Sequence, residues 1–136
     1  MRATSAFLAD SAQVRGGKLY VLGGAFDTIR SQRFPVIHKA MAFVMILDIQ
    51  PIERDQIVDI EVTLMDEDMH PTGSKAKGQF KVPEPRSGRP GQSSVFPIAI
   101  PFFDLRFPEP GGYVFRVTYG DEQELVRVPF WVQETS

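Results

Sequence analysis

The chain has 136 residues, 43% hydrophobic and 24% charged, with a net charge of −2 and a pI near 5.7. This length suits one domain that buries roughly two thirds of its unfolded surface, so we predict a single domain over residues 1–136. The slight acidity predicts no nucleic-acid binding, since such proteins carry a basic surplus. The chain contains no cysteine, which excludes disulfides, thiolate zinc sites and cysteine nucleophiles.

No segment of the sequence predicts membrane insertion or export. Residues 1–14 contain one arginine but lack the apolar run and small-residue cleavage site of a signal peptide. The longest apolar run, residues 40–47, is under half of the roughly 20 residues that span a bilayer. We therefore expect a cytoplasmic protein that does not contact a membrane.

Apolar side chains repeat with a period of two along almost the whole chain, which indicates strands. Strands are expected at 5–14, around Leu19 and Val21, and at 36–49, 56–66, 75–82, 95–104, 113–119 and 124–132. Eight short strands in one domain predict an all-β fold. We expect an immunoglobulin-like antiparallel β-sandwich of about eight strands.

The first predicted hairpin, "FLADSAQVRGGKLYVLGG" at residues 7–24, carries an acid where alternation places an apolar side chain. Its Gly16-Gly17 pair is typical of a type I′ turn, because both central residues need positive φ. Gly23-Gly24 predicts a bulge in the return strand. We expect Asp10 to point inward and to accept backbone N–H groups that the bulge leaves unpaired, which is a structural role.

Strand 36–49 is apolar on both faces through its middle. In a sandwich, one face of each sheet should meet water, so this outer face needs a cover. A loop, a partner subunit or small residues that tolerate exposure would each explain it. We favour a partner subunit.

Proline marks the expected edge of a sheet. Pro97 and Pro101 share parity in strand 95–104 and remove two N–H donors from one side, so we place this strand at an edge. Pro129 suggests the same, less strongly, for strand 124–132.

The loop that precedes strand 95–104, "PEPRSGRPGQSS" at residues 83–94, is too polar to order itself. We expect it to project from this edge and to order only on a partner whose carboxylates meet Arg86 and Arg89.

The hairpin of strands 56–66 and 75–82 is expected to carry acids on one outer strand and lysines on the other. The predicted register places Asp59, Glu61 and Thr63 opposite Lys81, Gln79 and Lys77. We interpret "SKAKGQFK" at 74–81 as cross-strand charge pairing and not as a phosphate site.

The closing hairpin brings two like charges together. A turn at "GDEQ", residues 120–123, places Arg116 opposite Arg127 on the outer face, where Trp131 also points. Like charges directly opposite each other are destabilising. Either acids on neighbouring strands neutralise them, or these residues form a recognition surface, since Arg and Trp are enriched at interface hot spots.

No catalytic, metal or cofactor site is predicted. His38 and His70 form no spaced ligand pair, and zinc requires at least three good ligands. The acidic turn "DEDMHPTG" at 66–73 lacks the spacing of a calcium loop. No nucleophile elbow, phosphate loop or dinucleotide fingerprint occurs. The sequence favours a non-catalytic protein over an enzyme.

Both ends of the chain resemble one family. The first hairpin, together with "PEPGGYVFRVTYGDEQELVRVPFWV" at 108–132, is similar to an uncharacterised bacterial family of small proteins, a domain of unknown function. Phe115 stands where that family is expected to have tryptophan. The resemblance implies a β-sandwich and implies no activity.

Apart from an enzymatic function, the sequence is compatible with two functions. The first is a β-sandwich that forms homo-oligomers or binds a protein partner through residues 40–47 and through Arg116, Arg127 and Trp131. The alternative is a module that binds a small anion or a carbohydrate beside the same three side chains and the loop 83–94. Guanidinium groups and aromatic rings suit both kinds of ligand.

Overall fold

The computed structural model describes residues 1–53, 55–82 and 91–136. Within these residues nine strands and one 3₁₀ turn (Pro51–Glu53) occur, and no helix is long and apolar enough to cross a membrane. The strands are β1 (Arg2–Arg15), β2 (Lys18–Phe26), β3 (Thr28–Ser31), β4 (Val36–Ile49), β5 (Ile57–Asp66), β6 (Pro71–Lys81), β7 (Ser94–Phe107), β8 (Gly111–Tyr119) and β9 (Gln123–Glu134).

The strands form two sheets that pack face to face. Sheet A has the order β2-β1-β4-β7, and sheet B has the order β3-β9-β8-β5-β6. The described strand pairs are antiparallel except β3 and β9, which run parallel. The predicted all-β sandwich is confirmed, whereas its immunoglobulin-like character stays a prediction. The sequence missed β3 because four residues are too few to show a period of two.

Aromatic rings from both sheets fill the core. Phe43 and Phe102 of sheet A contact Phe115 of sheet B, with ring centroids 5.6 and 5.0 Å apart. Phe115 in turn stacks on Phe130 of β9 at 5.4 Å. Such ring pairs contribute about 0.5–1.5 kcal/mol each beyond the area that they bury. These contacts hold the two sheets in one packing arrangement.

The middle of the outer face of β4 is buried by this chain itself, whereas Ala40 is exposed and Ile46 is half-buried. Ala42 and Val44, which point away from the main core, are 2% and 0% exposed. With Ala9 they form a second hydrophobic cluster. The side chains packed against this cluster are Phe7, Ala12, Leu19 and Val21.

The cover of β4 is the first hairpin, which bends back over sheet A. Its residues 10–24 continue beyond the last β1–β4 pair, Ala9 with Ala42. Cα atoms of both β1 and β2 come within 8 Å of β7, although β4 separates β1 from β7 in the sheet. At Ala42 and Val44 the cover is therefore this hairpin and not the partner subunit that we favoured, because sequence alternation cannot show which other segment lies over a strand.

Asp10 lies at this bend and is exposed, so the prediction of an inward carboxylate is wrong. The β1–β2 register shifts between Leu8 and Ala9, and Gly23 has a φ of 63°. Ala9 and Ala12 are three residues apart, so a regular strand would direct them to opposite faces of the sheet. Both belong to the same cluster, so β1 is irregular between them. A Cβ on Gly23 would lie 2.2 Å from Asp10 Oδ2. A bulge is present at Ala25, directly after the predicted glycine pair, since Leu8 pairs with Phe26 and Ala9 with Gly24.

Proline predicted one sheet edge correctly and another wrongly. β7, with Pro97 and Pro101, lies at the edge of sheet A. Pro129 lies in β9, which is between β3 and β8. The N–H of Trp131 donates to Asp27 O at 2.8 Å, so residues of this parity turn their nitrogen toward β3. Since β3 pairs only with residues 131–134, Pro129 interrupts no strand pairing there.

The acid–lysine face of β5 and β6 is present in a register shifted by two residues. Glu61 lies 3.7 Å from Lys77, and Gln79 Nε2 donates to Asp59 at 2.9 Å. Two features set this register: the turn is shorter than predicted, with the N–H of Asp66 bonded to His70 O at 3.0 Å, and the pairing is irregular between Thr63 and Met65. β6 therefore begins at residue 71 instead of 75.

Candidate functional site

An apolar groove runs along the open side of the sandwich, between β6 and β7. These two strands are the edges of sheet B and sheet A. The groove has a volume of about 630 Å³, within the range of known ligand sites. The end of β1, residues 12–14, borders it. Its main apolar side chains are Ile60, Ala76, Phe80, Phe96, Ile98 and Ile100.

Gly78 leaves space inside this groove. It pairs with Ile60 and lies between Ala76 and Phe80, two residues packed against the core. Alternation would therefore direct a side chain at position 78 inward. A Cβ built there meets no atom of residues 1–53, 55–82 or 91–136 within 4 Å. Beyond this gap Phe80 contacts Phe96 at a ring distance of 4.9 Å, which joins the two edge strands.

The predicted pair of Arg116 and Arg127 lies on the outer face of sheet B, directly opposite each other. Glu124 accepts a hydrogen bond from the Nε of each, at 3.0 and 2.5 Å. The hydrogen bond from Arg127 and then that from Arg116 hold the pKa of Glu124 below its usual value. For Arg116 the neutralising acid lies on the neighbouring strand, as one of the two alternatives predicted, whereas for Arg127 it lies on the same strand, β9. One carboxylate shared by two guanidinium groups leaves one positive charge.

Trp131 lies on the same face but apart from the arginines. It pairs with Gly112, four residues along β9 from Arg127, which is about 13 Å at the rise of a strand. A Cβ on Gly112 would lie 3.0 Å from the Trp131 ring and from Glu67, so the ring lies over this glycine. The indole is 52% exposed. Of the predicted surface, Arg116 and Arg127 lie together and Trp131 lies apart, whereas Arg86 and Arg89 are outside the described residues.

The acidic turn between β5 and β6 forms a compact cluster. Ligand atoms of Asp66, Asp68 and His70 lie within 4.8 Å of one another. Asp66 Oδ1 accepts the backbone N–H groups of Asp68 and His70, both at 2.9 Å. This carboxylate therefore stabilises the turn, as side chains of Asp commonly do. His38 lies elsewhere, on β4, so the two histidines do not share a site.

A family model described as "Family of unknown function (DUF6941)" matches residues 4–133. The chain belongs to this family. The expectation of an uncharacterised family is thereby confirmed, and no curated protein matches the chain.

Among solved structures, the DUF6941 chain is similar to the alkylpurine DNA glycosylase AlkC of Pseudomonas fluorescens, bound to DNA containing an abasic site analog. The TM-score is 0.41 at 14% identity, over 94% of this chain and 30% of the glycosylase chain. Similarity at this level carries no argument about function.

Sequence reasoning missed the groove. Its two walls come from β6 and β7, which belong to different sheets and do not pair. One signal was available, because an isolated glycine inside a strand pattern indicates a bulge or an unusual environment. Gly78 is such a residue, yet only the packed structure shows that the space beside it is empty.

Proposed function

We propose that this DUF6941 protein is a non-catalytic module that binds an apolar segment of a protein partner in the groove between β6 and β7. The observation that carries the proposal is the groove itself. Phe96, Ile98 and Ile100 remain partly exposed there, side by side on one edge strand. Contiguous exposed apolar surface of this kind commonly marks an interaction site.

The shape and chemistry of the groove favour a polypeptide over a reacting substrate. Its β7 wall runs over residues 96–101, about 17 Å at the rise of a strand, so it suits an elongated occupant. Lys77 is the one titratable side chain in the described lining. Acid–base or nucleophilic chemistry needs at least two converging groups. The lining therefore supports binding without catalysis.

The other predicted functions have less support. Self-association was argued from the outer face of β4, which the first hairpin covers. An anion or carbohydrate would meet Arg116 and Arg127 without the ring of Trp131, because that ring lies about 13 Å away. A cytoplasmic location stays a prediction from the sequence.

Selection of random peptides displayed on phage against the immobilised protein tests the proposal. We expect enriched peptides to be rich in apolar residues and to bind Gly78→Leu at least about tenfold more weakly, because leucine fills the groove. The matched control is Thr63→Leu, which adds the same side chain on the outer face of sheet B and should bind as wild type does. Peptides that bind all three proteins equally, or no enriched peptides, would overturn the proposal.

A further inference from the structure

We infer that the partner segment adds as a strand to the free edge of β6, with apolar and acidic residues in alternation. This inference rests on the proposed groove function and specifies the partner. It follows from three features of the groove: which edge can form backbone hydrogen bonds, which side chains face inward, and which charges face outward.

Among the described strands β6 pairs only with β5, and its other, free edge can accept another strand. The N–H of Val82 donates to Gln56 O at 2.9 Å, so even-numbered residues of this strand turn their backbone groups toward β5. Residues alternate in this respect in an antiparallel sheet. The odd-numbered residues from Lys75 to Lys81 therefore present N–H and C=O groups at the free edge. None of the odd-numbered residues from 75 to 81 is proline.

The free edge of β7 is poorly suited to the same pairing. Ile46 O accepts a hydrogen bond from Thr4 Oγ1 of β1 at 3.3 Å, so even-numbered residues of β4 face β1 and odd-numbered ones face β7. The β4–β7 register then turns the odd-numbered residues of β7 toward the free edge. Two of these are Pro97 and Pro101, which have no N–H to donate. A strand entering the groove thus pairs with β6.

The groove imposes a period of two on the incoming strand. Successive side chains of a strand point to opposite faces. A strand beside β6 would direct every second side chain into the groove, next to Gly78 and opposite Ile98 and Ile100. These positions favour apolar residues, as in other cases of strand addition, where pockets select alternate side chains.

Lysines on the outer face of β6 determine the charge of the other positions. Lys77 and Lys81 lie 3.7 and 3.9 Å from Glu61 and Asp55, but all four side chains are exposed and such pairs are weak. Lys75 lies opposite Thr63 and contacts no acid among the described residues. Edge lysines oppose the pairing of β6 with a second β6, and opposite charges stabilise cross-strand neighbours. Acidic residues therefore suit the outward positions of the partner.

Fluorescence anisotropy with synthetic peptides tests the inference. The probe is a labelled peptide of about ten residues, the length of a typical long strand, that alternates valine and glutamate. We expect it to bind at least about tenfold more tightly than a peptide that alternates valine and lysine. Equal binding of the two peptides would overturn the charge rule.

A charge reversal on the protein provides the complementary test. Lys75→Glu should weaken binding of the glutamate peptide and strengthen binding of the lysine peptide. The matched control is Lys39→Glu, which makes the same charge change on β4, away from the groove. If both variants alter binding to the same extent, the effect is one of net charge and the role of β6 is refuted.

Backbone pairing is tested on both partners. Gln79→Pro removes an N–H at the free edge of β6 and should weaken binding about tenfold, whereas Gln79→Ala keeps that N–H and should bind as wild type does. N-methylation of alternate residues in the peptide requires no change to the protein. N-methyl groups on the residues whose N–H groups face β6 should abolish binding. N-methyl groups on the residues between them should be tolerated.

The outcomes separate this inference from the proposed function. Peptides that depend on Gly78 but tolerate Gln79→Pro and both N-methyl patterns would refute strand addition and leave the groove function standing. Peptides whose binding is insensitive to Gly78→Leu would refute both.

Discussion

Sheet A has two apolar surfaces, which differ in how far the rest of the chain buries them. The outer face of β4 is sealed by the first hairpin, so Ala42 and Val44 are almost fully buried. Along the free edge of β7, Ile98 and Ile100 remain partly exposed beside the groove. One surface is thus completed within the chain, and the other is left for a partner in our proposal.

Glycine serves opposite purposes in the two regions. A Cβ on Gly24, in the covering hairpin, would lie 2.7 Å from Val21 Cγ1, so this glycine permits a close approach. A Cβ on Gly78, in the groove, would meet nothing within 4 Å. The same residue type within a strand therefore indicates crowding in one place and empty space in the other.

The largest expected effect comes from a charge placed under the hairpin. Val44→Asp buries an unpaired carboxylate at a site that is 0% exposed and should lower the free energy of unfolding by about 3–5 kcal/mol. Val95→Asp, at a site that is 73% exposed, is the control and should change it by under about 0.5 kcal/mol. Urea unfolding measures both. Equal small effects would show that the hairpin does not seal this face.

A methyl group at the bend of the hairpin should have a smaller effect. Gly23→Ala places alanine at a φ of 63° and against Asp10 Oδ2, which should cost about 1–2 kcal/mol of unfolding free energy. In an Asp10→Ala background the cost should fall to about 1 kcal/mol, because the backbone strain remains and the carboxylate is gone. Additive effects in this double-mutant cycle would contradict the contact between residues 10 and 23.

A side chain added in the groove should stabilise the protein, whereas the two substitutions above should destabilise it. Gly78→Val should raise the free energy of unfolding by about 0.5–1 kcal/mol, since it restores strand propensity and fills open space. Gly24→Val should lower the free energy of unfolding, because its side chain meets Val21 and Phe7. Thermal and urea unfolding of the two variants compare them directly. A destabilised Gly78→Val protein would mean that the groove is not open.

The smallest effect on the free energy of unfolding is expected at the exposed arginine–glutamate cluster on the outer face of sheet B. Arg127 and Arg116 lower the pKa of Glu124 in the folded protein, so its contribution is present above the ordinary carboxyl pKa. It is lost as the pH falls through the lowered pKa. Glu124→Gln should therefore destabilise the protein at neutral pH, by at most about 0.5 kcal/mol because the cluster is exposed. Unfolding measured at pH 7 and in acid should show the difference disappear in acid.

Local sequence patterns predicted much of the architecture. Alternation with a period of two indicated the sandwich, and Pro97 with Pro101 indicated the edge position of β7. The predicted pairing of Arg116 with Arg127 is confirmed, although the turn is one residue shorter than predicted and a register shift between Val117 and Thr118 offsets the difference. These features succeed because strand parity and hairpin register depend on residues that are close in sequence.

Features that depend on distant contacts could not be predicted in this way. The alternation of apolar residues predicts that Val44 faces outward. It does not predict that residues 12–21 pack over Val44. The strand changes face between Ala9 and Ala12, which leaves Asp10 exposed. A register shift between Val117 and Thr118 places Glu124 opposite Thr118, where both arginines reach it. The groove exists only because the edges of two sheets meet beside Gly78. The sequence by itself determined the strands and their faces, whereas tertiary packing decided which faces are covered, because burial is set by what lies across a surface and not by the residue that presents it.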